Sequence, residues 1–264
     1  FNGIVWIGST WSGSLSGFAA GPGGTTPAKW PEQGNQANAI AQPAVEKVAA
    51  DEASPETIAL AASELGCRSV AYTYNDPVIF HEYAIDVAQA CRERGIKSVA
   101  VTAGYVCDEP RAEFYRYMDA ANVDLKSFTE RFYHGVTGSH LQPVLETLMY
   151  LKHQTKVWFE ITTLLIPGEN DSEQEIEALT QWVVEQLGPD VPIHFTAFHP
   201  DWKMRGFPHT PPATLTMACN IAMKNGVRYA YTGNVSDREG ESTYCHKCRQ
   251  ILIGRDWYEL REWN

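Results

Sequence analysis

The sequence predicts an α/β chain, a partial parallel (β/α) barrel, on three observations. Helix and strand patterns alternate from Ser54 onward, successive strands begin 25 to 36 residues apart, and the strand segments are apolar without strict alternation. The spacing is that of a βα unit with its right-handed crossover. Continuous apolar character marks strands covered on both faces, as in a parallel barrel or a doubly wound sheet. A Rossmann sheet would carry G-x-G-x-x-G after an early strand, and no strand here is followed by it. The barrel is therefore favoured, and 264 residues suit it as one large domain.

The elements follow in order. Ser54-Pro55-Glu56 supplies an N-cap, a proline at the first helical position and an acid in the first turn, and Gly66 closes that helix. Cys67 to Tyr74 reads as a short buried strand, Pro77 to Arg94 as a helix stopped by Gly95, and Ile96 to Thr102 as the next strand. Strands recur at Ala121 to Lys126, Lys156 to Leu164, Val191 to His199 and Val227 to Thr232, with helices between them. Asn170-Asp171-Ser172 with Glu175 reads as a helix start with a capping box. Trp257, Tyr258 and Leu260 are expected to pack where the barrel closes.

Residues 11 to 44 break the pattern. They are rich in Gly, Pro, Ala, Gln and Asn, with no period of two or 3.6, and read as loop or disorder. A compact barrel rarely holds so long an irregular segment. The chain therefore divides into an anomalous segment (1–44), a barrel (45–236) and a C-terminal tail (237–264). It opens on Phe1, not Met, and an N-terminal part is expected to precede it.

A formal net charge of −11 repels polyanions, so neither nucleic acid nor an anionic membrane is an expected partner. The opening residues lack a secretory signal, and no apolar run approaches a membrane span. A cytoplasmic location with reduced cysteines is expected. Cys67, Cys91, Cys107 and Cys219 lie in apolar or helical segments and read as small core residues, whereas Cys245 and Cys248 stand at metal-ligand spacing.

In a parallel barrel the working residues project from the C-terminal ends of the strands. Those ends are polar: Asn75-Asp76, Thr102, Asp124 with Lys126, Glu160 to Thr163, His199 and Asn234. Such a ring suits a zwitterionic ligand, with carboxylates for its ammonium and a lysine for its carboxylate. Each member also has a plain structural reading. Asp124 and Lys126 lie two apart on one strand face and could be a simple ion pair. Asp76 could cap the following helix, and His199 could be a hydrogen-bonded strand-end histidine.

The segments YTYNDP (Tyr72 to Pro77), VTAGY (Val101 to Tyr105), NVDLK (Asn122 to Lys126), FEITTLLIPGEND (Phe159 to Asp171), HFTAFHPDWKM (His194 to Met204) and YTGNV (Tyr231 to Val235) carry a resemblance in order and spacing. Together they resemble the AmmeMemoRadiSam-system radical SAM enzymes, relatives of the pyruvate formate-lyase activating enzymes, over about residues 45 to 260. The resemblance implies S-adenosylmethionine (SAM) across the barrel mouth, chelated to one iron of a [4Fe–4S] cluster. Reductive cleavage there would give a 5′-deoxyadenosyl radical that removes a hydrogen atom from a substrate. By position, Asp76 with Asn75 would meet the SAM amino group, where family members often have Glu. Asp124 and Lys126 match the family's DLK motif, with Lys126 the partner of the SAM carboxylate, and Thr102, Thr163 and His199 would line the SAM or substrate pocket.

The resemblance also requires CxxxCxxC after the first strand, because three thiolates hold three irons and leave the fourth open for SAM. No cysteine precedes Cys67, so no [4Fe–4S] ligands are identifiable. The gap coincides with the anomalous segment. A local frameshift or sequence error is one account of it, and a real chain that binds SAM or another metabolite without radical chemistry is the other. On either account the chain is expected to be impaired as a radical enzyme. In the tail, Cys245-His246-Lys247-Cys248 before a strand-like run reads as half of a possible structural zinc site, with unpaired thiols the alternative.

Overall fold

The computed structural model describes residues 4–8, 53–256 and 259–264, the first group through its backbone. The anomalous segment read at 11–44 lies outside them, as do Trp257 and Tyr258. All six expected strands are present. They are β2 (Ser69–Thr73), β3 (Lys97–Thr102), β4 (Ala120–Asp124), β5 (Trp158–Leu165), β6 (Ile193–Ala197) and β7 (Ala230–Gly233), preceded by a strand the sequence reading did not include, β1 (Ile4–Gly8). The chain has the α/β fold of a partial (β/α) barrel, and it divides into two compact units.

The first unit runs to Thr102 and takes in Glu109–Ala121. In it β1, β2 and β3 pair parallel, Val5 opposite Val70 and Val70 opposite Ser98. The helices Pro55–Glu64 and His81–Glu93 pack on one another. The first begins as its sequence demands: Ser54 is extended, and its hydroxyl accepts the Thr57 amide at 3.3 Å. Gly66 and Gly95, in the left-handed region at φ 67° and 71°, end the two helices. β4 starts in this unit, where the Asp119 amide donates to Ser98 O at 2.8 Å and the Asp119 carboxylate accepts from Ser98 N and Lys97 Nζ.

The second unit holds Ala103–Asp108 and Asn122–Asn264. Here β5, β6 and β7 pair parallel, with Thr162 opposite His194 and His194 opposite Tyr231. The side chains alternate. Phe159, Ile161, Leu165, Ile193 and Phe195 are buried, and helix Pro212–Lys224 packs against β6 and β7 through Leu215, Ala218 and Ala222. On the other face Glu160, Thr162, His194, Thr196 and Tyr231 are polar and partly open, which sets up the site described below. Gly104, at φ 67°, is tightly packed: a Cβ there would lie 2.8 Å from Val123 Cγ1.

A three-stranded antiparallel sheet closes the chain, with β8 (Thr243–Tyr244), β9 (Ile251–Asp256) and β10 (Glu259–Trp263) in the order β10-β9-β8. Two expectations fail here and upstream. Leu260 does not pack at a barrel closure but is 50% exposed on β10, whose five residues are all exposed. Cys107 is exposed, unlike Cys67, Cys91 and Cys219, because it sits in the loop between β3 and helix Asp108–Tyr115. Among the described residues no helix is long and apolar enough to cross a membrane.

Candidate functional site

In the first unit the end of β2 meets the end of β3. Tyr74 takes a left-handed backbone at φ 72°, strained for a residue with a Cβ, and turns the chain so that Asp76 faces Thr102. The Thr102 hydroxyl donates to both carboxylate oxygens of Asp76, at 2.9 and 3.1 Å. Asp76 Oδ1 also accepts the Val78 amide at 3.0 Å, capping the turn Pro77–Phe80. Capping residue and strand-end acid are thus one residue, held from two sides. Asn75 beside it is exposed.

In the second unit the end of β4 carries an ion pair, Lys126 Nζ to Asp124 Oδ2 at 2.6 Å, with both side chains about a third open or less. The backbone around it is fixed. The Lys126 amide donates to Tyr133 Oη at 3.1 Å, and the Lys126 carbonyl accepts from Asn170 Nδ2 at 2.6 Å. Asn170, 2% exposed, donates also to Leu164 O at 2.9 Å and accepts the Ile166 amide at 2.6 Å. The PGEND segment therefore locks the end of β5 to the end of β4. Thr163 adds a third tie, its buried hydroxyl donating to Leu125 O at 2.9 Å. Its side chain lies among the buried residues of β5 and serves the backbone.

The capping box at Ser172 is half realised. Ser172 Oγ accepts the Glu175 amide at 3.3 Å, but the Glu175 carboxylate reaches Ser127 Oγ and the Phe128 amide, where it fixes the turn after Lys126. A tertiary partner has displaced the local one.

The open face of β4 to β7 in this unit is a polar array. Thr162 Oγ1 donates to Asn122 Oδ1 at 2.9 Å, and Glu160 Oε2 lies 2.6 Å from His194 Nε2. His194 stacks on Tyr231, ring centroids 5.0 Å apart, and Tyr231 Oη is 3.0 Å from Thr243 Oγ1. Burial alone would push the Glu160 carboxyl up. The hydrogen bond and charge of His194, helped by Trp158 and Arg255, outweigh it and hold that carboxyl below the ordinary carboxylate range. Sequence reading missed His194, Tyr231 and Asn170. The period of two was there to find the first two, since Glu160 with Thr162, His194 with Thr196, and Tyr231 with Gly233 share faces.

His199 does not join Glu160. It is exposed, pairs with Asp201 at 3.3 Å and meets His209 edge to face. Asn234, left-handed at φ 59°, donates to Ala197 O at 3.2 Å. Cys245 and Cys248 are free thiols at a hairpin tip. Among the described residues no three His, Cys, Asp or Glu side chains gather to hold a metal ion, so the expected zinc position has two ligands and not four. Among the described residues no three cysteines gather as a [4Fe–4S] cluster requires. Burial pushes the Cys91 thiol up to about 11 and the Cys219 thiol up to about 12, away from the thiolate that iron needs.

Known proteins resemble this chain in family, sequence and fold. The family model described as the radical SAM superfamily matches residues 41–180. An uncharacterized protein of Methanocaldococcus jannaschii is 39% identical over 204 residues, 77% of this chain and 60% of that protein. The 4-hydroxyphenylacetate decarboxylase activating enzyme of Clostridium scatologenes is 27% identical over 117 residues, 43% of this chain and 37% of the enzyme. The chain thus spans less than two thirds of the length of these relatives, 60% of the first and 37% of the second. Among solved structures, a domain of the pyruvate-formate lyase-activating enzyme of Bacteroides vulgatus superposes with a TM-score of 0.55 at 19% identity, covering 62% of this chain and 98% of that domain. Streptococcus suis SuiB bound to S-adenosylmethionine superposes at 0.56 with 14% identity, over 70% of this chain and 44% of SuiB. At these identities the structural likeness speaks to fold.

Proposed function

This chain belongs to the radical SAM superfamily, and on that premise we propose that it is an activase-like member whose strand ends bind S-adenosylmethionine, but whose cysteines as they stand do not assemble the [4Fe–4S] cluster. The observation that carries the reading is the Asp124–Lys126 pair at the end of β4, fixed through the backbone by Asn170, Tyr133 and Thr163. A lysine with that much support is a preorganised cation, suited to the carboxylate of an amino-acid ligand.

In this reading Lys126 Nζ binds the SAM carboxylate, and Asp124 holds the ammonium group of Lys126 in place. Within the first unit, Asp76, oriented by Thr102 and by the Val78 amide, is a carboxylate suited to an ammonium group, with Asn75 beside it. Thr163 contributes through Leu125 and not by contact, and His199 contacts the ligand from its exposed position. The cluster, when a radical SAM enzyme holds one, supplies the electron that cleaves SAM and so starts hydrogen abstraction from substrate. This chain's residues would do the binding and orienting. The array of Asn122, Thr162, Glu160, His194 and Tyr231 would face the substrate and favour a polar one, since an apolar molecule would leave those groups desolvated.

The cysteine pattern favours a second reading, a cluster-free barrel that binds SAM or a similar metabolite without radical chemistry. Resequencing the codons for residues 10 to 50 separates the two. Recovery of CxxxCxxC supports the radical enzyme, and confirmation of the present residues supports the binding protein. SAM titration into the chain tests what both share.

A further inference from the structure

The Glu160–His194 pair is built to do more than satisfy a charge. Glu160 is ionised and can only accept, so Nε2 of His194 is the protonated, donating nitrogen of their 2.6 Å contact. The lone pair of the neutral ring is then on Nδ1, which has no hydrogen-bond partner among the described residues. The two side chains are each 29% exposed, so the imidazole can be reached from the open face of the sheet. Its plane is fixed by Tyr231, whose ring stacks on it at 5.0 Å and 26°. Tyr231 Oη is tied in turn to Thr243 Oγ1, which accepts from Arg255 Nη1 at 2.7 Å. Burial pushes the Tyr231 phenol up, so it stays protonated and forms a neutral wall.

The same face reaches the strand end. Asn122 and Asp124 share one face of β4, two residues or about 7 Å apart along the strand. Asn122 accepts from Thr162, and Thr162 stands opposite His194 in the β5–β6 register. An imidazole held by a carboxylate at one nitrogen and open at the other is the arrangement of a general base. Asn122 and Thr162 beside it supply the donors and acceptors that a hydroxyl or amino group needs.

We propose that His194 is the acid–base residue of this face, accepting a proton at Nδ1 from an alcohol or amine substrate and returning it as turnover ends. The step breaks the substrate's O–H or N–H bond and forms N–H on the ring. The electron pair stays on the substrate, and Glu160 remains a carboxylate that stabilises the imidazolium. The proposal rests on the reading that this face meets the substrate, and it is independent of SAM.

The probe for the test is 5-nitrobenzisoxazole, which a base opens in one step by removing its C–H proton as its N–O bond breaks. The parent chain should accelerate this opening over buffer by at least about a hundredfold, with a rate that rises with pH as the imidazole loses its proton. His194→Gln keeps a donor for Glu160 and should lose the acceleration. Glu160→Gln should lower the rate at least about tenfold and move the midpoint of the pH profile down, because a neutral amide no longer stabilises the imidazolium. His153→Gln, on an exposed helix end far along the chain, should change neither. Each variant is assayed below its own melting temperature. Diethyl pyrocarbonate gives a readout that needs no variant: carbethoxylation of His194, located by peptide mass, should abolish the reaction and hydroxylamine should restore it. No acceleration by the parent, a rate kept in His194→Gln, or a pH profile that Glu160→Gln leaves in place overturns the proposal. A parent chain that opens the probe but does not bind SAM upholds it and overturns the ligand reading alone.

Discussion

Glu160 and His194 stand on neighbouring parallel strands with Oε2 2.6 Å from Nε2, and that contact keeps a partly buried carboxyl ionised in spite of its burial. The pair sits on the open face of β5 and β6, opposite the face that holds Ile161 and Phe195. It is the kind of buried charge that demands a partner. Its consequences can be measured directly.

The folded-state pKa of Glu160 lies below its unfolded value, so its contribution to stability is complete above the ordinary carboxylate pKa and is lost as pH falls through the lower, folded value. Glu160→Gln should therefore lower the melting temperature at about pH 7, and the gap to the parent chain should narrow towards about pH 3. Thermal unfolding at a series of pH values checks this; a gap that stays constant or widens in acid contradicts the assignment.

Asn170 makes three hydrogen bonds to backbone groups while almost fully buried. Asn170→Ala leaves two carbonyls and an amide without it and should cost about 2–4 kcal/mol in a denaturant titration. Asn170→Asp should be no better, since an ionised carboxylate cannot donate and would stand buried against the carbonyls of Lys126 and Leu164.

Gly104 combines a left-handed φ of 67° with a Cβ position 2.8 Å from Val123 Cγ1. Gly104→Ala should destabilise by about 1–3 kcal/mol. Pairing it with Val123→Ala relieves the clash and not the backbone strain, so a double-mutant cycle should show positive coupling, while strict additivity would contradict the close contact.

Anaerobic reconstitution with iron and sulfide should leave this chain far short of a full cluster. Iron analysis and the visible spectrum read the outcome, and a stable content of about four irons per chain would overturn the statement that its cysteines do not fit one.

Local signals in the sequence carried most of the fold. Ser54, Pro55, Gly66 and Gly95 mark helix ends through backbone chemistry that needs no tertiary context, and the apolar runs place all six strands, shortened slightly at their ends. Asp124 and Lys126 were legible because two residues of one strand two apart must share a face. The partner of Glu160 was not, because it depends on the register of β5 against β6, which sets His194 next to it and leaves His199 beyond the strand. Glu175 shows the same limit. Its spacing from Ser172 suggests a local box, and a turn 47 residues earlier takes its carboxylate. Asn170 looked like part of a helix start, and only the packed structure reveals that its amide ties β4 to β5.

The central claim is that the strand ends bind S-adenosylmethionine through Lys126, and calorimetric titration of SAM into the parent chain and into Lys126→Ala tests it most directly. The account predicts saturable binding to the parent and at least about tenfold weaker binding to the variant, the loss of about 1.4 kcal/mol or more that a charge-assisted contact supplies. No binding to the parent chain, or equal affinities in the two, would contradict it.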